Sequence, residues 1–147
     1  MNTENIITIG DLRLVLTDEN GNVKVDRTEK NIITTAGKSY IASRLVSDSA
    51  ALKVSHMAIG SGSAAAVIGD TTLGTELGRV ALTTQTSTGA VATCTATFNP
   101  GVGTGAIAEA GIFNAASSGT LLNRSVFSVV NKAAADTLTI SWTITAS

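Results

Sequence analysis

The sequence predicts a mainly β fold, an antiparallel β-sandwich or barrel-like domain with an N-terminal β-hairpin and one short α-helix. Two runs carry that reading. From Val91 to Phe98 the apolar positions Ala92, Cys94, Ala96 and Phe98 alternate with Thr93, Thr95 and Thr97, the period of two that divides a strand into two faces. From Leu138 to Thr145, Leu138, Ile140, Trp142 and Ile144 alternate in the same way with Thr139, Ser141, Thr143 and Thr145. The third observation is punctuation. Gly-, Asn- and Ser-rich turns separate short apolar runs along the chain, as they do in antiparallel all-β domains.

The first element is a hairpin. Leu12, Leu14 and Leu16 alternate with Arg13, Val15 and Thr17, Asp18-Glu-Asn-Gly21 supplies a turn, and Val23 and Val25 alternate with Lys24 and Asp26. Asn-Gly between two alternating runs is a strong hairpin signal, because both residues tolerate the positive φ such turns demand. Residues 1–30 therefore read as a hairpin or arm, ahead of a single β-rich domain over residues 31–147. An isolated two-stranded hairpin is marginally stable in water, so the arm is expected to dock on a neighbour.

From Thr35 to Val46 the alternation stops, and Tyr40, Ile41, Arg44 and Leu45 fall at helical spacing behind a threonine suited to capping. One short helix is expected there. Ser47 to Leu52 is a polar, small connection, and Val54 to Ile59 resumes as a strand that ends in a loop from Gly60 to Gly69. Further strands are expected from Arg79 to Thr86, Ile107 to Phe113 and Leu121 to Val130, set off by Asn99–Gly105 and Ala116–Gly119. There is no internal repeat and no sign of a second domain.

Composition narrows the function classes. A chain of 147 residues has the size of one domain and can bury a core. With 44% apolar but only 3% aromatic residues, Val, Ile, Leu and Ala must fill that core. Small side chains bury little area each, so burying more surface in an oligomer is expected, most simply a homotrimer. Ten basic and eleven acidic residues with no basic stripe argue against nucleic acid as a partner. The N-terminus is polar and acidic, and no segment approaches the length of a membrane span, so cytoplasmic synthesis without a signal is expected. Cys94 has no second cysteine to pair with and reads as a buried small hydrophobe.

Catalytic apparatus is thin. Gly60-Ser-Gly-Ser63 and Gly101-Val-Gly-Thr-Gly105 resemble phosphate loops only superficially, since neither ends in Lys-Ser/Thr before a helix. They read as tight turns. His56 is the single histidine and lies inside an apolar strand, which leaves little for a nucleophilic triad. No His/Cys/Asp cluster has zinc spacing, and Asp18-Glu-Asn-Gly-Asn22 lacks the ligand order of a calcium loop. No catalytic residue, metal site or cofactor is assigned.

Four residues are assigned structural work instead: Glu109, Arg79, Arg124 and Trp142. Glu109 lies between Ala108 and Ala110 in an apolar strand, where an unpaired carboxylate would cost several kcal/mol. It is expected to meet Arg79 or Arg124 in a planar two-point grip. Trp142 shares its strand face with Leu138, Ile140 and Ile144 and is expected to anchor the core.

The order of several blocks resembles small virion proteins of tailed bacteriophages. They are Lys30-Asn-Ile-Ile-Thr-Thr-Ala-Gly37, Met57-Ala-Ile-Gly-Ser-Gly62, Gly69-Asp-Thr-Thr-Leu73, Glu76-Leu-Gly-Arg79, Glu109-Ala-Gly-Ile-Phe113, Asn123-Arg124 and the closing Asp136–Thr143 strand. The same order is similar to the N-terminal module of tail-collar fibre proteins. This resemblance implies a non-enzymatic, homo-oligomeric tail, baseplate or fibre-attachment component of a virion assembled in the host cytoplasm. Its partners would be itself and other virion proteins. Tail-collar fibres continue into a distal shaft, whereas this chain reaches Ser147 directly after its last strand, which keeps a capsid decoration or cement role open. A carbohydrate-binding β domain would need exposed aromatics, and the few aromatics here sit at core-like positions.

Overall fold

The computed structural model describes residues 7–46 and 53–147. Ten strands and one helix follow in the order β1 (Thr8–Thr17), β2 (Val23–Lys30), β3 (Ile32–Ile33), α1 (Thr35–Val46), β4 (His56–Gly60), β5 (Glu76–Ala81), β6 (Thr84–Thr88), β7 (Val91–Phe98), β8 (Gly105–Phe113), β9 (Leu121–Lys132) and β10 (Thr137–Ala146). They form two five-stranded antiparallel sheets, β2-β1-β10-β7-β6 and β3-β9-β8-β4-β5. The architecture is a sandwich. The predicted connection Ser47–Leu52 lies outside the described residues.

The alternating runs do what their period requires. Leu138, Ile140 and Trp142 of β10 and Cys94, Ala96 and Phe98 of β7 face inward and meet Met57, Ile59, Ile107, Ala110 and Ile112 from the other sheet. Trp142 is fully buried, and its indole N–H donates to Asn31 Oδ1 at 2.6 Å, so the expected core anchor also has a polar partner. Burial pushes the Cys94 thiol above its ordinary pKa, as suits a packed hydrophobe and not a reactive thiolate.

The helix occupies the span its spacing predicts. Its cap is Thr34, whose Oγ1 accepts from the Gly37 amide at 2.9 Å. A side chain at Gly37 would collide with the Leu122 carbonyl, so this glycine lets α1 lie directly against β9. Tyr40 and Ile41 pack on the core, while Leu45 and Val46 are exposed.

Two expectations are corrected, and one strand is added. The N-terminal hairpin is not an arm. β1 pairs along its whole length with β10, from Thr8 opposite Ala146 to Thr17 opposite Thr137, and Leu12, Leu14 and Leu16 lie in the core. The described residues 7–30 therefore belong to the same body as the described residues that follow them. The single strand expected from Arg79 to Thr86 is two strands in different sheets. Between them the Leu82 amide donates to Ser55 O at 2.9 Å and the Thr83 amide to Thr95 O at 2.7 Å, so the chain changes sheets within two residues. Ile32–Ile33 adds a short strand on β9 that the sequence did not announce.

Candidate functional site

Four of the blocks singled out in the sequence, Met57–Gly62, Gly69–Leu73, Glu109–Phe113 and Asn123-Arg124, meet on the outer face of the second sheet around Glu109. In that sheet Arg79 lies opposite Ala58, Ala58 opposite Gly111 and Gly111 opposite Arg124. Both arginines thus stand in one cross-strand row, with Glu109 two residues from Gly111 along β8. A bulge between Ile107 and Glu109 sets the facing of the carboxylate.

Glu109 is fully buried. Its Oε2 accepts from Arg124 Nε at 2.9 Å and from the Gly74 amide at 2.8 Å, and Arg124 Nη2 lies 2.8 Å from the same oxygen as an ion-pair contact. Its Oε1 accepts from the amides of Gly62 at 2.8 Å and Thr75 at 2.7 Å. Of the two candidate arginines, Arg124 is the partner. The grip is not the expected two-point one, because Nε and Nη2 both approach the same oxygen, Nε alone donating a hydrogen bond to it, and the other oxygen is left to the backbone. Arg124 also donates to Asp70 Oδ2 at 2.9 Å and Ala64 O at 3.1 Å. Burial weighs against the Arg124 charge, but the hydrogen bonds to Asp70 and Glu109 outweigh it and hold the guanidinium above its ordinary value. At Asp70 burial is likewise outweighed, by the Val67 amide and by Arg124, so this carboxyl sits below its usual range.

The glycines of the signature now have a use. A Cβ at Gly62 would stand 2.5 Å from Glu109 Oε1, so only glycine lets that amide reach the carboxylate. The Gly60-Ser-Gly62 block does cradle an anion, and the anion is internal. The chain from Ser61 to Thr75 is thereby bound over the sheet, with Leu73 inserted between Ala58, Phe113 and Leu121. Its tip exposes Val67 and Ile68, and Ile68 O accepts from the Thr35 amide at the start of α1 at 2.7 Å.

Arg79 belongs to a separate arrangement. It makes the two-point grip expected of Glu109, but on Glu76, through Nη2 at 2.7 Å and Nε at 3.2 Å. Its Nη1 donates to Ala115 O and Ser118 O, and its guanidinium lies 3.7 Å from the Phe113 ring centre. A cleft of about 580 Å³ opens beside it, lined by Thr71, Leu73, Glu76, Phe113 and Ser117 among others. The titratable groups of that cleft are Glu76 and Arg79, which neutralise each other.

His56 is half-buried at the start of β4, with Nδ1 2.8 Å from Ser55 Oγ. Among the described residues no three His, Cys, Asp or Glu side chains cluster so as to hold a metal ion, and no helix is long and apolar enough to cross a membrane. Sequence reasoning missed Asp70, Asn31 and Lys132 as structural polar residues. Asp70 was visible only as part of Gly69-Asp-Thr-Thr-Leu73, and nothing in local pattern marked Lys132, which is buried with Nζ donating to Asn99 O at 3.1 Å. No family model matches this chain, and no curated protein or solved structure matches it either.

Proposed function

We propose that this protein is a non-enzymatic, self-associating structural component of a tailed-phage virion, placed at the tail, baseplate or fibre attachment point and assembled in the host cytoplasm. One observation carries the reading. Four of the sequence blocks that resemble phage virion proteins meet at Glu109, Arg124 and Asp70, where their charges are satisfied by one another and by backbone groups. Such a cluster fixes a loop over a sheet and offers no nucleophile or acid–base pair to a substrate. Its product is a rigid surface, with Val67 and Ile68 at the loop tip, and a rigid surface is what a particle subunit presents to its neighbours. Mass spectrometry of purified particles, with immunogold labelling, tests this. The chain should be present in stoichiometric amount with label on the tail. Label over the head would select the capsid decoration role, and absence from particles would overturn the proposal.

A further inference from the structure

The four sheet edges are guarded unequally. β2 carries Lys24, Asp26, Arg27, Glu29 and Lys30, β5 carries Glu76 and Arg79, and β3 is two residues long. Charge and shortness are the usual devices that keep a free edge from pairing with another chain. β6 has neither. All five of its residues are exposed, among the described residues β7 is its one strand neighbour, in an unbroken register, and it contains no proline. Between Arg79 and Glu109 the chain carries no Lys, Arg, Asp, Glu or His at all. The register sets Thr84, Thr86 and Thr88 beside Thr95, Thr93 and Val91, and Gln85 and Ser87 beside Cys94 and Ala92. The strand is polar on both faces, so it extends past the core with one ladder to hold it.

We propose that β6 pairs antiparallel with β6 of a second copy, about a two-fold axis at Thr86, joining two sheets into one continuous sheet. A second copy is the occupant this edge fits. The pairing places Thr84 opposite the partner's Thr88, Gln85 opposite the partner's Ser87, and Thr86 opposite the partner's Thr86, so no like charges meet and hydroxyl side chains face hydroxyl side chains. Threonines remain on one face of the joined sheet and Gln and Ser on the other, as the pleat requires. An isologous contact of this kind closes with two copies and leaves no further β6 edge free. The inference deepens the self-association within the proposed function and is tested on the isolated protein, apart from any particle.

Sedimentation velocity from micromolar to millimolar concentration should show a dimer of about twice the 14.8 kDa chain mass. The double variant Thr84→Lys/Thr88→Lys sets like charges against each other at both ends of the register and should weaken the dimer by at least about tenfold. Thr84→Lys/Thr88→Glu sets opposite charges there and should restore it. Both sites are exposed, so circular dichroism of each variant should match the parent. Thr86→Cys should cross-link to its own copy on oxidation, and Thr84→Cys should not. A chain that stays monomeric, an oligomer indifferent to both double variants, or cross-linking at Thr84→Cys alone would overturn the β6 pairing. A monomer still found in purified particles would overturn it while leaving the virion role standing.

Discussion

A carboxylate shut away from water is tolerable only when its lone pairs are claimed, and at Glu109 one guanidinium N–H and three backbone amides claim them, beside the Arg124 charge. Glu109→Gln points an amide N–H at donors, and Arg124→Met strands the carboxylate. Each should lower unfolding free energy by about 3–5 kcal/mol. The double variant should lose clearly less than the sum, with a coupling of about 0.5–3 kcal/mol, while Arg79→Ala should add independently to Glu109→Gln. Urea denaturation measures the cycle, and additivity of the Glu109 and Arg124 losses would contradict it. The need for a partner was legible in the sequence, since Glu109 lies in an apolar run. Which arginine was not legible, because Arg79 and Arg124 occupy the same cross-strand row and only Glu76 and Phe113 divert Arg79. The pH dependence follows from other residues. Asp70 and Asp136 are held below the usual carboxyl range when folded, Asp136 by Lys24 and the Ala133 amide. The unfolded chain binds more protons at low pH, so their contribution is present above a pH of about 4 and is lost as pH falls through the folded values. Lys132 is lowered by burial, and here too the unfolded chain binds the extra proton. Stability should therefore rise as pH climbs through the folded Lys132 value toward about 10.4. Lys132→Met should abolish that alkaline rise and leave the acid limb intact, which urea midpoints across pH would record.

At the scale of the element, a strand's period of two reveals its faces but not its neighbours. β7 and β10 were readable residue by residue, because Ala92–Phe98 and Leu138–Ile144 each sort cleanly onto two faces. Where the chain changes sheet, at Leu82–Thr83, no glycine or proline marks the crossing, so β5 and β6 looked like one strand. The N-terminal hairpin shows the same blindness in another form. Its turn was plain from Asp18 to Asn22, where Asp18 Oδ1 accepts from the Asn20 and Asn22 amides at 2.9 Å and Gly21 has a φ of 82°. The place of β1 between β2 and β10 was not, since sheet order lies in long-range pairing. Deleting residues 1–28 should therefore abolish cooperative folding. It removes Leu12, Leu14 and Leu16 from the core and leaves the inner edge of β10 unpaired. Near- and far-ultraviolet circular dichroism with a thermal scan decides the matter, and a soluble, cooperatively melting remnant would return the hairpin to the status of an arm.

Across the whole molecule, the first described strand, the last strand and the loop from Ser61 to Thr75 depend on contacts far apart in sequence. Ile7 and Ser147 exchange backbone hydrogen bonds at 2.7 and 2.8 Å, and Glu109 reaches amides 34 to 47 residues away. Non-local pairing of this extent makes folding slow and cooperative, on a scale of milliseconds to seconds. It also decides how the loop opens. In most proteins an irregular segment of this length exchanges its amide hydrogens by local fluctuation, well below the free energy of global unfolding. Here Gly62, Gly74 and Thr75 donate to a buried carboxylate, and Leu73 seals the space between the loop and the sheet. Releasing any one of these amides locally would leave Glu109 without a donor it needs, which raises local opening toward the global value. Native-state hydrogen exchange should accordingly show these three amides exchanging with the amides of β8 and β9 in the parent chain. In Glu109→Gln they should exchange faster than those strands, because the loop then opens alone. Equal and fast exchange of the three amides in parent and variant would mean that the loop is held by Leu73 and Arg124 without the carboxylate, and that the glycines of the signature serve some other contact.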